Sequence, residues 1–404
     1  MAGPPALSGD PGPRDRGLRV AAPAGGPSDE PLDRRQLREL ARRFTQREIT
    51  PHLPEWERAG RVPRTLHAAT AKVGLLGAGF PEEVGGSGGD FLDYCAVAEE
   101  IILAGGSSGL FAALFTHSIA VPHMITSRDP RLVDGYVRPT LAGEKIGSLA
   151  ITEPDGGSDV AAVRTTARRD GDHFVVNGTK IFITSGVRAD FVTTLVRTGG
   201  SGRAGVSLLV VDADAPGFTV GRELEKLGWH CSDTAELSFV DVPVPAGNLV
   251  GAPGTGLAQL MRHFATERIS MAVQACATAQ RCLDLTIHWC RHRSTFGEPL
   301  AGRQVIRHRL AEMARVTQVA RTFVWQVAAR VAGGDQRVTD VAMAKNTAAS
   351  ACAFVVDEAL QLHGGAGYLR DSEVERHYRD SRIMSIGGGT SEMMNEIIVK
   401  GLGL

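Results

Sequence analysis

Neither sign of charge dominates this 404-residue sequence: 44 Lys+Arg face 45 Asp+Glu, a formal net charge of −1. Binding a polyanion through bulk charge is thereby excluded, because phosphate backbones select strongly basic surfaces. Cysteine is sparse. The six residues Cys95, Cys231, Cys276, Cys282, Cys290 and Cys352 contain no CxxC pair, whereas a secreted disulfide scaffold is shorter and denser in cysteine. They read as reduced thiols of a cytoplasmic protein. The twelve histidines form neither HExxH nor a Cys/His ligand spacing, so no metal is expected. No basic segment leads into an apolar stretch as in an export signal. Aromatics are scarce at 5%, while glycine is abundant at 48 residues, above the usual ~7%. That excess points to tight turns, or to backbone that approaches a ligand closely.

Asp, Glu, Lys and Arg are absent from Ile101 to Ser127, a length that can span a bilayer. Gly105-Gly106-Ser107-Ser108 interrupts the run, and His117, Pro122 and His123 follow. It reads as two buried helices joined by a turn, the second over Leu110–Ile125, and no membrane span is expected.

Length and composition suggest two or three units. Residues 1–32 are rich in Pro, Gly and charge and read as a disordered leader. From Asp33 the residues Leu37, Leu40, Ala41, Phe44 and Ile49 recur near a helical period, opening an α-helical domain over 33–147. Between 148 and 245 short β-branched runs alternate with Gly and Pro, predicting a compact antiparallel β domain. Asn177-Gly178 marks a hairpin turn within it. Amphipathic helices return over 250–404. The class is α+β, mainly α, and the absence of βαβ alternation argues against a dinucleotide-binding parallel sheet. The match of Gly200-x-Gly202-x-x-Gly205 to GxGxxG is therefore read as a hairpin loop, since a strand-like Val206–Val211 follows it where a helix is required. Gly387-Gly388-Gly389-Thr390-Ser391 likewise lacks the GK[ST] of a phosphate-binding loop.

Three segments carry chemistry. Ala150–Asp159 is either a plain turn or a loop whose amides and hydroxyls wrap a planar cofactor. Arg291–Leu300 is either a solvated helix end or an Arg beside an aromatic suited to pyrophosphate and adenine. Gln361–Tyr368, with Gly387–Ser391, places glycines where helices cross or where a backbone donor meets substrate.

Together these segments resemble the acyl-CoA dehydrogenase family over about residues 33–404. The shared stretches are Ile151-Thr-Glu-Pro, Gly157-Ser-Asp, Asn177-Gly-Thr-Lys-Ile-Phe-Ile-Thr184, Lys226–Glu236, Glu267-Arg268, Arg293-Ser-Thr-Phe-Gly, Gln361-Leu-His-Gly-Gly365 and Arg379-Asp380. The resemblance implies an FAD enzyme that desaturates an acyl-CoA thioester between its α and β carbons and passes electrons to an electron-transfer flavoprotein. It also implies a homotetramer built as a dimer of dimers. Carried over by position, Ile151, Thr152, Gly157, Ser158, Phe182 and Thr184 would surround the flavin ring and its linker. Arg293, Phe296, Gln304, Gln361 and Gly365 would bind the pyrophosphate and adenosine across a subunit contact, and Thr390 and Glu392 would touch the cofactor again. Ser158, Phe264, Arg268, Gly388 and Gly389 would border substrate. Phe182 departs from the Trp common in the family.

The reaction needs a carboxylate to remove the α-proton. Many family members carry it just before the Gly-Thr-Ser stretch, where this sequence has Gly388. Isovaleryl- and long-chain-type members place it at the position of Glu267. At about 100° per residue, Leu260, Phe264, Met271, Ala275, Cys282 and Leu285 form an apolar stripe that contains Glu267, with Thr278 its one other polar member. A Glu there is desolvated and its pKa raised, which makes Glu267 the candidate base. An oxidase, an enzyme acting on carrier-protein-bound acyl groups, and a non-catalytic flavin-binding protein are the alternatives on this scaffold.

Overall fold

The computed structural model describes residues 30–404. The leader expected over 1–32 lies outside the described residues except for its last three, and the first helix begins at Leu32. This helix, Leu32–Phe44, turns Arg34, Arg38 and Arg42 toward the helix Phe91–Leu103, where they meet Asp93, Glu99 and Glu100 at 2.7, 2.8 and 2.6 Å. Asp90 starts Phe91–Leu103 with a capping box: its carboxylate accepts from the Asp93 N–H while the Asp93 carboxylate accepts from the Asp90 N–H. Glu99 is buried, which opposes its charge, yet Arg321 and Arg38 hold its pKa down to about 2. Arg321 lies on the C-terminal helix Gln304–Ala332, so this ion cluster locks the first domain onto the last.

The uncharged stretch is buried and more broken than expected. Its second helix is divided into Ser108–Leu114, His117–Ala120 and Pro122–Ser127. Pro122 has no amide to continue the preceding turn and starts a new helix. Ser108–Leu114 and His117–Ser127 bend by 58°, and among the described residues no single helix is long and apolar enough to cross a membrane.

The middle region has strands β1 Gly147–Ala150, β2 Thr166–Asp170, β3 His173–Thr184, β4 Phe191–Arg197, β5 Val206–Asp212, β6 Phe218–Glu223, β7 Thr234–Pro245 and β8 Leu249–Val250. They pair in the order β6-β7-β3-β2-β4-β5-β8, with β1 added on β4. Two features correct the sequence reading. The sheet is mixed, because β1 runs parallel to β4 and β2 meets β4 in parallel at Thr166 and Arg197. The chain between β1 and β4 runs through β2 and β3, far more than the dozen or so residues that a parallel connection needs. Asn177-Gly178, expected to be a hairpin turn, instead lies inside β3 at a register shift against β7. The hairpin comes earlier, where Asp170 pairs with His173 across Gly171-Asp172. Between β4 and β5 the loop holding Gly200, Gly202 and Gly205 joins antiparallel strands, as read from the sequence.

Strand β4 shows why its apolar run does not alternate. Phe191 and Leu195 face the first-domain helices, where Val121, Met124 and Val137 pack. Val192 and Val196 face a second core with Leu209, Val211 and Leu237. Both faces are covered. The last domain comprises Gly256–His292, Gln304–Ala332, Val338–His363 and Glu373–Ser381, packed in one core with Phe91–Leu103, and Ser391–Gly401, which lies against Val338–His363.

The displaced hairpin is testable. A Cβ on Gly178 would lie 2.5 Å from Thr165 Oγ1 and 2.7 Å from Thr165 Cα, whereas Gly171 has φ +61° and open space around it. Gly178→Ala is expected to destabilise by about 1–3 kcal/mol and Gly171→Asn to be near neutral. Denaturant midpoints of the two variants check this; equal midpoints would contradict it.

Candidate active site

The helix Gly256–His292 carries Phe264, Glu267 and Arg268 toward a turn formed by 386–390, just before the last helix. Two glycines make that turn: Gly388 has φ +62° and Gly389 φ +96°, values that side chains disfavour. Arg268 lies with its guanidinium 5.0 Å over the Phe264 ring and donates from Nε to the Gly388 carbonyl at 3.0 Å. Thr390 caps the last helix by accepting the Met393 N–H at 3.2 Å, and Glu392 stands in its first turn.

Glu267 faces the same turn. A Cβ built on Gly388 would lie 3.7 Å from Glu267 Oε1 and 2.9 Å from Met271 Sδ. The neighbouring arginine is turned to a carbonyl, and among the described residues no side chain hydrogen-bonds the Glu267 carboxylate. Burial pushes its pKa above the usual carboxylate range, with the Arg268 and Lys345 charges opposing. The apolar stripe read from sequence is real: Leu260, Ala275, Thr278 and Cys282 are buried around it.

Sequence reasoning missed Lys345. It is 1% exposed on Val338–His363 and donates to the carbonyls of Met384 and Gly389 at 3.1 and 2.7 Å. Its signal was available: a lone Lys set among Val341, Ala344, Ala348 and Cys352, which the helical period places on the apolar face.

The second group of candidates gathers on the middle domain. Strand β3 bulges between Lys180 and Ile183, and there Phe182 adopts φ +62° and leaves its ring 65% exposed. Beside it the loop 151–165, which joins β1 to β2, is pinned. Ile181 N–H donates to Thr152 O at 2.9 Å, and Lys180 Nζ donates to Ile151 O at 3.0 Å and Glu153 Oε1 at 2.9 Å. Glu153 also accepts the amides of Arg164 and Thr165. Gly157 meets only the Thr152 methyl, at 3.7 Å, and Ser158 is exposed. Thr184 O accepts the Ser148 hydroxyl at 2.6 Å, tying the end of β3 to β1.

The third group lies elsewhere. Phe296-Gly297 forms a tight turn with φ +54° and +80° between Thr295 and Glu298. The Phe296 ring is 98% exposed, with Arg303 5.5 Å above it. Arg293 sits 6.0 Å over Trp289, which stacks on His363 and donates to Leu362 O. The chain thus brings Arg293 beside the segment of Gln361 and Gly365, while Gln304 opens the next helix. Arg293 lies 26 residues along from Glu267, about 39 Å at ~1.5 Å per helical residue. One chain therefore does not bring the third group to the first.

Three family models describe the chain in succession: the acyl-CoA dehydrogenase N-terminal domain at 31–144, the middle domain at 148–242 and the C-terminal domain at 254–403. The chain belongs to the acyl-CoA dehydrogenase family. A crystal structure described as a probable acyl CoA dehydrogenase from Mycobacterium abscessus is 61% identical, with a TM-score of 0.92 over 93% of this chain and 100% of that one. The long-chain specific acyl-CoA dehydrogenase, mitochondrial, of Sus scrofa is 36% identical over 90% of this chain and 85% of its own length. The prolyl acyl carrier protein oxidase AnaB is 27% identical, with a TM-score of 0.88 over 93% of this chain and 100% of that one. This acyl-CoA dehydrogenase family member is an oxidoreductase, and its relatives are flavoproteins.

The Lys180–Glu153 pair is buried on both sides, and removing one partner leaves an uncompensated charge, at a cost of about 3–5 kcal/mol. Lys180→Met is expected to lose stability in that range and to free the 151–165 loop to proteolysis. Limited digestion with and without the substitution reads this out; an unchanged cleavage pattern would contradict it.

Proposed function

We propose that the protein is an FAD-dependent acyl-CoA dehydrogenase in which Glu267 removes the α-proton of an acyl thioester. The observation that carries this reading is the 3.7 Å between Glu267 Oε1 and the Cβ position of Gly388. The carboxylate supplied by the helix and the one missing from the turn address the same point.

The residues suit the cofactor. An exposed flat ring at Phe182, an open pinned loop at 151–158, and a cationic aromatic turn at Arg293–Phe296 match flavin ring, linker and adenine end in turn. Bound FAD would supply the acceptor for the hydride leaving the β-carbon. Glu267 holds the α-proton on a carboxylate oxygen as it departs. Negative charge developing on the thioester oxygen is met by the Gly388 N–H, which glycine retains. Arg268 borders the acyl group and fixes the turn through Gly388 O. The ~39 Å between Glu267 and Arg293 exceeds the reach of one extended FAD, so a second copy of the chain supplies the adenine end. This supports a dimer, and likeness to the family extends it to a homotetramer, a dimer of dimers. An electron-transfer flavoprotein is the proposed acceptor, and the six buried free thiols fit a cytoplasmic setting.

A second reading, an oxidase acting on a carrier-protein thioester, draws on the likeness to AnaB. Oxygen consumption by the reduced enzyme without an added acceptor would favour it over the first. A non-catalytic flavin-binding protein would leave its flavin oxidised with every thioester offered.

The purified protein should be yellow, with about one FAD per chain, and tetrameric; a colourless monomer that takes up no FAD would overturn the cofactor reading. Anaerobic bleaching by the best of a panel of acyl-CoAs should slow about 10²–10⁴-fold in Glu267→Gln, with acyl-CoA binding retained. In the parent the rate should rise with pH through a value above the ordinary carboxylate range. The same burial gives a stability sign. A carboxyl whose folded-state pKa is raised contributes stability below its unfolded pKa and loses it as pH rises through the folded value. Glu267→Gln stays neutral throughout, so its Tm at neutral pH should exceed the parent's. Glu267→Gly with Gly388→Glu should restore part of the bleaching, limited by the positive φ at 388 and by Met271 Sδ.

A further inference from the structure

Lys345 is a charge buried where nothing of opposite charge bonds to it. Its two hydrogen-bond partners are carbonyls, those of Met384 and Gly389. Lys180, also buried, meets the Glu153 carboxylate at 2.9 Å. Desolvation without an ion-pair partner costs stability, so packing alone would favour a neutral side chain at 345.

What the ammonium does is geometric. Its two acceptors bracket the segment that carries Gly388, with Met384 before and Gly389 after. Arg268 Nε takes the Gly388 carbonyl between them. Three carbonyls within six residues are therefore held by two cations. Lys345 Cε and Glu267 Oε1 each lie 3.7 Å from the Cβ position of Gly388, so the clamp, the turn and the carboxylate meet at one point. The charged and titratable groups around Glu267 are Arg268 on its own helix, Lys345 on Val338–His363 and Tyr94 on Phe91–Leu103.

Resting on the reading of Glu267 as the base, we infer that Lys345 is a positioning residue of the acyl site: its ammonium clamps the 384–389 turn so that the Gly388 N–H and the Glu267 carboxylate face the same thioester. Its charge also lies close enough to Glu267 to favour the ionised form. Losing it should shift the acid limb of activity to higher pH, which a purely structural lysine would not do.

The test uses FAD-loaded Lys345→Met and Lys345→Gln, with butyryl-, isovaleryl-, octanoyl- and palmitoyl-CoA as probes and the parent's fastest bleacher taken forward. Both variants are expected to keep their flavin and to unfold no earlier than the parent by more than a few degrees. Anaerobic bleaching should slow by about 10²-fold in Lys345→Met, the scale of an ångström-sized misplacement. The half-saturating acyl-CoA concentration should change little, and the acid limb should move up. Lys345→Gln, which keeps donors without the charge, should recover part of the rate and none of the pH shift. Bleaching at the parent rate with an unmoved acid limb would overturn the inference. So would loss of flavin or fold in both variants, which would make Lys345 a residue of the fold. Glu267→Gln, measured alongside, separates the two readings: parent-like bleaching there removes the base assignment itself, whereas a slow Glu267→Gln with a parent-like Lys345→Met removes only the clamp.

Discussion

A carboxylate partly withdrawn from water without a partner costs free energy, and the arrangement around the half-buried Glu267 keeps it in that state. The helix Gly256–His292 is 37 residues long. Its start is seated on the β-sheet core through Leu257 and Leu260, and its middle lies in the helical core with Phe91–Leu103, Gln304–Ala332 and Val338–His363. Anchored on both sides, it holds Glu267 on the face that meets the 386–390 turn. The arginine next in sequence would neutralise the carboxylate, but Gly388 O has claimed it. A carboxyl of raised pKa is what results, at a location set by the packing of three domains.

The features legible from sequence are those with a local cause. The α, β, α order follows from where β-branched runs begin and end, and the GxGxxG reading failed correctly because a strand follows it. Glu267 stood out because its apolar stripe is long enough to define a face. The features that escaped are those decided by distant partners. Asn177-Gly178 has the composition of a primed turn, yet β7 continues alongside it and Thr165 sits where a side chain would go. The glycine there serves a close approach, and Gly171 makes the turn. Parallel pairing of β1 and β2 with β4 brings together strands that other strands separate in the chain, and no local signal encodes it. Lys345 was passed over because a single Lys in an Ala-rich helix ordinarily extends to solvent.

Distances along the same helix also constrain assembly. The helix separates Glu267 and Arg293 by about 39 Å, and its turns from Ala272 to Ala279 between them are buried. The exposed rings Phe182 and Phe296 belong to the middle and the last domain. On the proposed reading they are a flavin-ring surface and an adenine surface, filled from two chains. If both are used, oligomerisation is a condition of cofactor binding, and a substitution in the 293–304 turn would act on a neighbour's active site.

Where the base stands also determines what the turn can be. A glutamate at 388 would have to sit at φ +62° with its Cβ 2.9 Å from Met271 Sδ, so a turn that carries the base needs a different backbone or a smaller neighbour. With the carboxylate moved to the helix, residues 387–389 are all glycine and the turn closes tightly enough for Arg268 and Lys345 to hold its carbonyls. The helix is the more rigid platform, since its backbone hydrogen bonds fix the Cα of Glu267, while a turn must be fixed from outside. On the proposed reading, a base on the helix transfers the demand for rigidity to the oxyanion donor at Gly388, and the half-buried Arg268 and buried Lys345 meet that demand.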